Sequence, residues 1–337
     1  MNLDNLSKVL KNEPDYRARQ IKKAIFVNLI DSWSQATVLP LALREKLKKE
    51  CPLYISAEIF YSKDEKTAKA LIALSDGLKI ESVLMRHKDG RNTACVSSQA
   101  GCPLGCLFCA TGKSGFKRNL NSSEIAEQVL FFARYLKKQN EKITNIVFLG
   151  MGEPFLNYNS VISAIKTLNN REGFNLGARH FSISTVGIVE GIEKLAEEKM
   201  EINLAISLHA PNDELRSKII PVNKKYPITK IILAVDEYIK RTGRRVMFEY
   251  IMIKNLNDSD KQALELAKLA KRPLCFLNLI SYNATGIFEP SSPKRIGDFK
   301  NILEKKGVSV TQRYKFGQEI SAACGQLAGR QNCKTHE

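Results

Sequence analysis

Three cysteines, Cys102, Cys106 and Cys109, fall within eight residues in the pattern Cys-x3-Cys-x2-Cys. Thiolates at that spacing, with Gly105 letting the loop curl, can converge on one soft metal centre. A four-iron cluster normally takes four cysteines, so a set of three leaves one iron free to bind and reduce something else. The other chemistry open to such a loop is a structural zinc site, which needs a fourth nitrogen or sulfur ligand. His209 and Cys95 carry suitable atoms, but neither sits at a usual local zinc spacing. A second candidate is Gly150-Met151-Gly152-Glu153-Pro154. Its glycines let backbone groups approach a ligand, and Glu153 can accept from an ammonium group. A Gly-rich turn between strand and helix is common by itself; it gains force from standing one βα unit after the cysteines.

These loops need elements to hold them. From Cys95 onward, strand-like and helix-like runs alternate. The strand-like runs are 94–98, 143–149, 180–185, 202–208, 246–251, 275–280 and 308–312. Helical periodicity follows most of them, beginning where Ser122 or Ser123 can cap a run with Ile125, Val129, Phe132 and Leu136 on one face. The alternation predicts an α/β fold of parallel strands with outer helices, a partial (β/α)6 barrel whose open side admits a bulky substrate. Each motif falls just after a strand, at the end where such barrels do their chemistry. Ahead of it, residues 53–93 predict a β-hairpin extension turning at Asp76-Gly77 and Asp89-Gly90. Residues 1–52 predict a small helical domain, either an RNA-docking module or a cap on the main domain. Residues 94–330 form the barrel, and 331–337 a polar, mobile tail.

The chain has 337 residues, 44% of them hydrophobic, and a net charge of +17. That excess points to a polyanionic partner, most simply RNA. Lys113, Lys117 and Arg118 after the cysteine loop, and Arg313 and Lys315 further on, could meet phosphates. No apolar signal-peptide core opens the sequence, and no apolar run approaches the roughly 18 residues that span a bilayer. The expectation is therefore a cytoplasmic protein without a membrane partner. Eight cysteines in such a chain suggest metal or catalysis rather than a disulfide framework. Cys51 and Cys275 sit in apolar settings as inert core thiols, and Cys333 in the tail is incidental.

Five motifs then occur in order: Cys95-Val-Ser-Ser-Gln-Ala-Gly-Cys102, Gly150-Met-Gly-Glu-Pro154, Ser182-Ile-Ser-Thr-Val-Gly187, Ser207-Leu-His-Ala-Pro-Asn-Asp213 and Ala322-Ala-Cys-Gly-Gln-Leu-Ala-Gly329. Together with the cysteine triplet they resemble the RlmN/Cfr family of radical S-adenosylmethionine (SAM) RNA methyltransferases over nearly the whole chain, the reading lying nearer RlmN. The resemblance implies a [4Fe-4S] cluster on Cys102, Cys106 and Cys109. It implies SAM contacts at Gly152, Glu153, Ser184, Ser207, Leu208, His209 and Asn283. It makes Cys324 the cysteine that becomes methylated, Cys95 its partner thiol and Glu81 the proton acceptor.

The target implied is a ring carbon of an adenine in 23S rRNA, with tRNA as a further substrate. Such a carbon is not nucleophilic, so polar methyl transfer fails and a radical route is needed. Two SAM molecules serve each turnover: one methylates Cys324, the other initiates hydrogen removal from that methyl group. After addition to adenine and proton loss, Cys95 attacks the Cys324 sulfur and frees the product as a disulfide forms. The same reading implies a monomer and an external electron donor. The family divides by product. Pro154 and the Gln-Leu-Ala-Gly ending are similar to the branch that methylates C2. Tyr282-Asn283 and the Asn-Glu-Pro-Asp-Tyr-Arg stretch near the N-terminus are similar to the branch that methylates C8 and confers antibiotic resistance. The expectation adopted is C2, with C8 as the alternative. A zinc RNA-binding protein without catalysis accounts for the charge and cysteines but not for the other motifs. A methylthiotransferase would need a second cluster, and the remaining cysteines are too scattered to hold one.

Overall fold

The computed structural model describes Leu3, residues 5–313 and residues 317–328. Lys315, Gly329, Arg330, Cys333 and the expected tail lie outside them. The first fifty residues are helical as expected: α1 (Leu6–Val9), α2 (Asp15–Phe26) and α3 (Leu41–Glu50). They close on a small core of their own that includes Ile21, Ile25, Leu43 and Leu47. Trp33 is buried there, its Nε1–H donating to Cys51 O at 2.7 Å, which satisfies the indole's one polar group.

The extension then begins with an unanticipated strand, β1 (Ala57–Tyr61). The two expected strands are β2 (Thr67–Ala73) and β3 (Lys79–Arg86). Gly77 at φ +83° and Gly90 at φ +82° supply the left-handed turns the Asp-Gly pairs demanded. β3 pairs antiparallel with β4 (Asn92–Cys95), so the extension runs without a break into the barrel's sheet. A short ribbon of β5 (Gln99–Gly101) and β6 (Phe116–Asn119) brackets the cysteine loop and its one-turn helix α4 (Ala110–Lys113).

Helices and strands alternate from there: α5 (Ser122–Lys137), β7 (Asn145–Phe148), α6 (Tyr158–Asn169), β8 (Phe181–Thr185), α7 (Val189–Glu197), β9 (Asn203–Ser207), α8 (Asp213–Ile219), α9 (Ile228–Thr242), β10 (Val246–Met252), α10 (Asp260–Ala270), β11 (Cys275–Ser281), α11 (Pro293–Lys305) and β12 (Val310–Gln312). The cap of α5 is Asn121 rather than Ser122 or Ser123. Its side chain accepts from Glu124 N while Glu124 reaches back, a capping box that a serine one residue later could not close. Ile125, Val129, Phe132 and Leu136 are all fully buried, as their spacing required.

The main sheet has ten strands in the order β1-β2-β3-β4-β7-β8-β9-β10-β11-β12. Every neighbouring pair from β4 to β12 is parallel. The order never reverses, so the sheet winds one way, as a barrel does and a doubly wound sheet does not. β1 and β12 do not pair, and the barrel stays open.

The carboxyl ends of β8 and β9 are held by one side chain. Arg216 on α8 is fully buried and donates to Val186 O (2.5 Å), Ser207 O (3.2 Å), Leu208 O (3.0 Å), Asn223 Oδ1 (2.7 Å) and Tyr226 O (3.3 Å). Burial depresses it to about 10. Arg216→Ala would strand these acceptors in the interior and is expected to cost about 3 kcal/mol in denaturant unfolding, and a lysine cannot reproduce the planar fork. A loss under about 1 kcal/mol would show that water replaces the guanidinium.

Candidate active site

The cysteine loop is pinned from three sides. Cys102 N donates to Gly115 O (3.1 Å), Leu107 N to Ile219 O at the end of α8 (3.0 Å) and Ala110 N to Gly325 O (2.7 Å). Gly101 sits at φ +80°, where a side chain would collide with the Gly115 carbonyl, so the ribbon closes only with glycine. Cys102, Cys106 and Cys109 all line a cleft of about 920 Å³ at the strand ends. Burial pushes the Cys102 thiol up to about 12 and Cys106 well above its ordinary value; neighbouring thiols add to both, and Arg216 opposes the rise at Cys106. Thiols so placed give up their protons readily only to a bound cation. Among the described residues, no three Cys, His, Asp or Glu side chains close around a single ion. Each thiolate of an iron–sulfur cluster takes a different iron, so three converging cysteines with one open iron suit a cluster.

Across the cleft stand Gly152, Glu153, Ser184, Ser207 and His209, one group from each of three successive strand ends. Glu153 is buried; its Oε1 accepts from Phe155 N (3.0 Å) and its Oε2 from Val186 N (2.9 Å). Burial outweighs these bonds and raises its carboxyl from 4.5 to about 7, leaving a site whose charge an ammonium group would complete. Gly152, at φ +99°, lies so close to Gln99 that a Cβ would clash with that side chain. His209 has a left-handed backbone, φ +61°, unusual outside glycine and concentrated at functional sites. Its Nδ1 accepts from Ile251 N (3.2 Å), so the neutral ring carries its proton on Nε2. Burial and Arg216 hold it neutral, lowered to about 3. Leu208 turns its side chain into the core and shapes the site only through its main chain.

Sequence reasoning missed Glu249. It lies on β10 in register with Ser207, almost fully buried, and its Oε2 accepts from Ser184 Oγ (2.5 Å) and Ser207 Oγ (3.2 Å). The available signal was a carboxylate inside the apolar run Val246–Met252. Arg313 differs from expectation. Rather than meeting phosphates, it follows β12 into the site, with Nη1 3.2 Å from Cys324 Sγ and 3.5 Å from Glu249 Oε1. Arg118 is likewise committed, to Asp76 and Glu124, which hold its guanidinium charged. Lys113 donates to Thr285 O at 2.8 Å, while Lys117 remains exposed.

Cys324 rides on the C-terminal loop, which the cysteine loop holds: Thr111 Oγ1 donates to Leu327 O (2.5 Å), beside the bond from Ala110 N. A second cleft of about 590 Å³ adjoins the first, lined by Cys95, Asn283, Arg313 and Cys324. Asn283 faces this one rather than the first; its Nδ2 donates to Cys324 O at 3.1 Å. Burial, then the Cys324 sulfur, push Cys95 up to about 12. Glu81 lines neither cleft. Its Oε1 pairs with the buried Lys69 at 3.0 Å and its Oε2 accepts from Ala328 N at 2.6 Å, a residue of the loop that carries Cys324. Cys51 and Cys275 are buried away from both clefts, and burial raises each to about 11.

Comparison with known proteins bears on this arrangement. The family model of the radical SAM superfamily matches residues 96–267. The chain is 45% identical over 329 residues to a probable dual-specificity RNA methyltransferase RlmN from Dictyoglomus thermophilum, covering 96% of this chain and 94% of that one. It is 45% identical over 322 residues to the ribosomal RNA large subunit methyltransferase N of Nitrosopumilus maritimus, covering 93% and 92%. A crystal structure of a radical SAM methyltransferase from Sphaerobacter thermophilus superposes with a TM-score of 0.93 at 44% identity, covering 98% of each chain.

Glu153 yields a test. Its folded carboxyl titrates at about 7 against 4.5 when unperturbed, so the folded state binds the extra proton between those values. Stability of the metal-free protein therefore falls as pH rises through that window, by up to about 3 kcal/mol. Denaturant midpoints of Glu153→Gln should be flat where the unaltered protein's decline; parallel curves would move the titration elsewhere.

Proposed function

The chain belongs to the RlmN family of radical SAM RNA methyltransferases, and from that premise we propose that it methylates C2 of one 23S rRNA adenine through a methylated Cys324. When bound, a four-iron cluster and SAM supply the methyl group and the radical chemistry that an unreactive adenine carbon requires. Cys102, Cys106 and Cys109 would hold the cluster. Gly152, Glu153, Ser184, Ser207 and His209 would hold SAM, Glu153 by taking its ammonium group and His209 by donating from Nε2. Leu208 contributes through its backbone and Asn283 by fixing the Cys324 main chain.

The observation that carries this reading is the placement of the Cys324 sulfur. It borders both clefts, with the cysteine triplet on one side and Cys95 on the other. One sulfur can therefore take a carbon from the first cleft and be attacked from the second. Cys95 enters this sequence late. While Cys324 is an anion it disfavours a second charge on Cys95; alkylation of Cys324 removes that obstacle. The disulfide left behind must be reduced by an external donor before another round.

For regiochemistry, Pro154 and the Gln326-Leu-Ala ending favour C2. The contrary marker, Tyr282, is buried with its hydroxyl on Thr285 Oγ1 at 2.7 Å and lines neither cleft, so it bears on packing more than on the base. The dual specificity in the relatives' name supports a second RNA substrate, for which we propose tRNA, at the adenosine 3′ of the anticodon. The net charge of +17 and exposed Arg19, Lys22 and Lys23 on α2 support RNA docking by the helical segment 1–52.

Cys95→Ala removes the thiol that would release the product and leaves the earlier steps intact. It should trap Cys324 covalently on RNA, as a band on a denaturing gel that nuclease collapses; Cys324→Ala and the double variant should show none. Normal methylation by Cys95→Ala without adduct would refute the two-thiol mechanism. Nucleoside mass spectrometry of the product decides C2 against C8.

A further inference from the structure

Cys324 has two duties that lie in opposite directions. Of the described cysteines, it alone lines both clefts; Cys102, Cys106 and Cys109 line the first and Cys95 the second. If its sulfur turned to Cys95 before taking up a carbon, the two thiols would be spent as a disulfide. Something must hold the sulfur to the first cleft until it is alkylated.

Arg313 is placed to do so. Its backbone N–H donates to Leu279 O at 2.9 Å, which carries the chain past the end of β12 with the side chain at the boundary of both clefts. Nη1 is 3.2 Å from Cys324 Sγ. The same nitrogen is 3.5 Å from Glu249 Oε1, an oxygen that makes no hydrogen bond of its own. The other oxygen of Glu249 is occupied by Ser184 and Ser207, so the carboxylate cannot swing away. A buried carboxylate with one oxygen so committed needs a cation at the other, and Arg313 is that cation.

We propose that Arg313, anchored by Glu249, is a positioning residue that holds the unalkylated Cys324 sulfur toward the first cleft and away from Cys95. This rests on the two-thiol reading above. Once Cys324 becomes a thioether its sulfur is only a weak acceptor for the guanidinium. The sulfur is then released to face Cys95 at the stage when attack by Cys95 is required.

The test is disulfide formation in the anaerobically purified, cluster-loaded protein without RNA. Diamide, a two-electron thiol oxidant, takes one hydrogen from each thiol onto its N=N bond as the Cys95–Cys324 bond forms. Non-reducing peptide mass spectrometry measures the rate on the unmethylated fraction, which its mass separates. Arg313→Met should form the disulfide about tenfold faster than the unaltered protein, the scale of one lost charged hydrogen bond. Arg313→Lys should stay within about threefold, because an ammonium can still hold the sulfur. The Arg313→Met/Glu249→Gln pair, which leaves no buried charge without a partner, should be as fast as Arg313→Met. Alkylation of buried Cys275 should not change in any variant. Equal or slower disulfide formation in both Arg313→Met backgrounds overturns the proposal, and so does an increase matched at Cys275, which reports loosening of the fold. No Cys95–Cys324 disulfide in any variant would instead refute the two-thiol reading on which the proposal rests.

Discussion

A guanidinium with no carboxylate bonded to it organises the catalytic end of the barrel. Arg216 is closed in by carbonyl and amide oxygens, three of which belong to the strand-end turns of the site. Val186, whose oxygen it takes, donates its own N–H to Glu153. Ser207 and Leu208, whose oxygens it also takes, lead directly into the left-handed turn at His209. Arg216 itself lies on α8, whose last carbonyl receives Leu107 of the cysteine loop. One cation thus sets the spacing of the strand ends of β8 and β9. Burial and then its field keep His209 neutral, and it opposes the rise that burial and the neighbouring thiols give Cys106. Hydrogen-bonded burial makes the geometry rigid, because every acceptor would be costly to leave unmade.

The two buried carboxylates of the site meet the same dielectric in different ways. Glu153 is stabilised by two backbone N–H groups and the Thr185 hydroxyl, and these do not offset its desolvation. It remains short of one positive charge, which is what a site for an ammonium-bearing ligand requires. Glu249 has two serine hydroxyls and a nearby guanidinium. Its charge is balanced within the protein by that guanidinium, which Glu153 lacks. The two roles follow from which partners each strand end supplies.

Much of this was legible in the sequence because the local signals were strong. The Asp-Gly turns, the helical face of Ile125, Val129, Phe132 and Leu136, and the strand-then-motif rhythm all depend on neighbours along the chain. What was not legible depends on neighbours across it. β1 shows little alternation and forms because β2 offers it an edge. α8 is seven residues long, too short for a periodic pattern, and is fixed by Arg216 and the Asn212 cap. Arg313 and Arg118 read as free cations in sequence, yet both are paired with carboxylates, Glu249 for one and Asp76 and Glu124 for the other. Nothing near Glu81 in the chain announces its partners, the buried Lys69 and the Ala328 amide. Charge pairing between distant residues has no periodicity for a sequence to display.

The central claim is that one sulfur, Cys324, carries the carbon from the first cleft to the base. The most direct measurement follows a methyl-deuterated SAM through a single turnover, with the Cys324 peptide and the RNA nucleoside both weighed. The account predicts a trideuterated methyl on Cys324 before RNA is added. It predicts an adenine product that keeps two of those deuterons, since one is removed before the carbon is transferred. A product carrying all three, or label in the RNA with Cys324 never labelled, would contradict it.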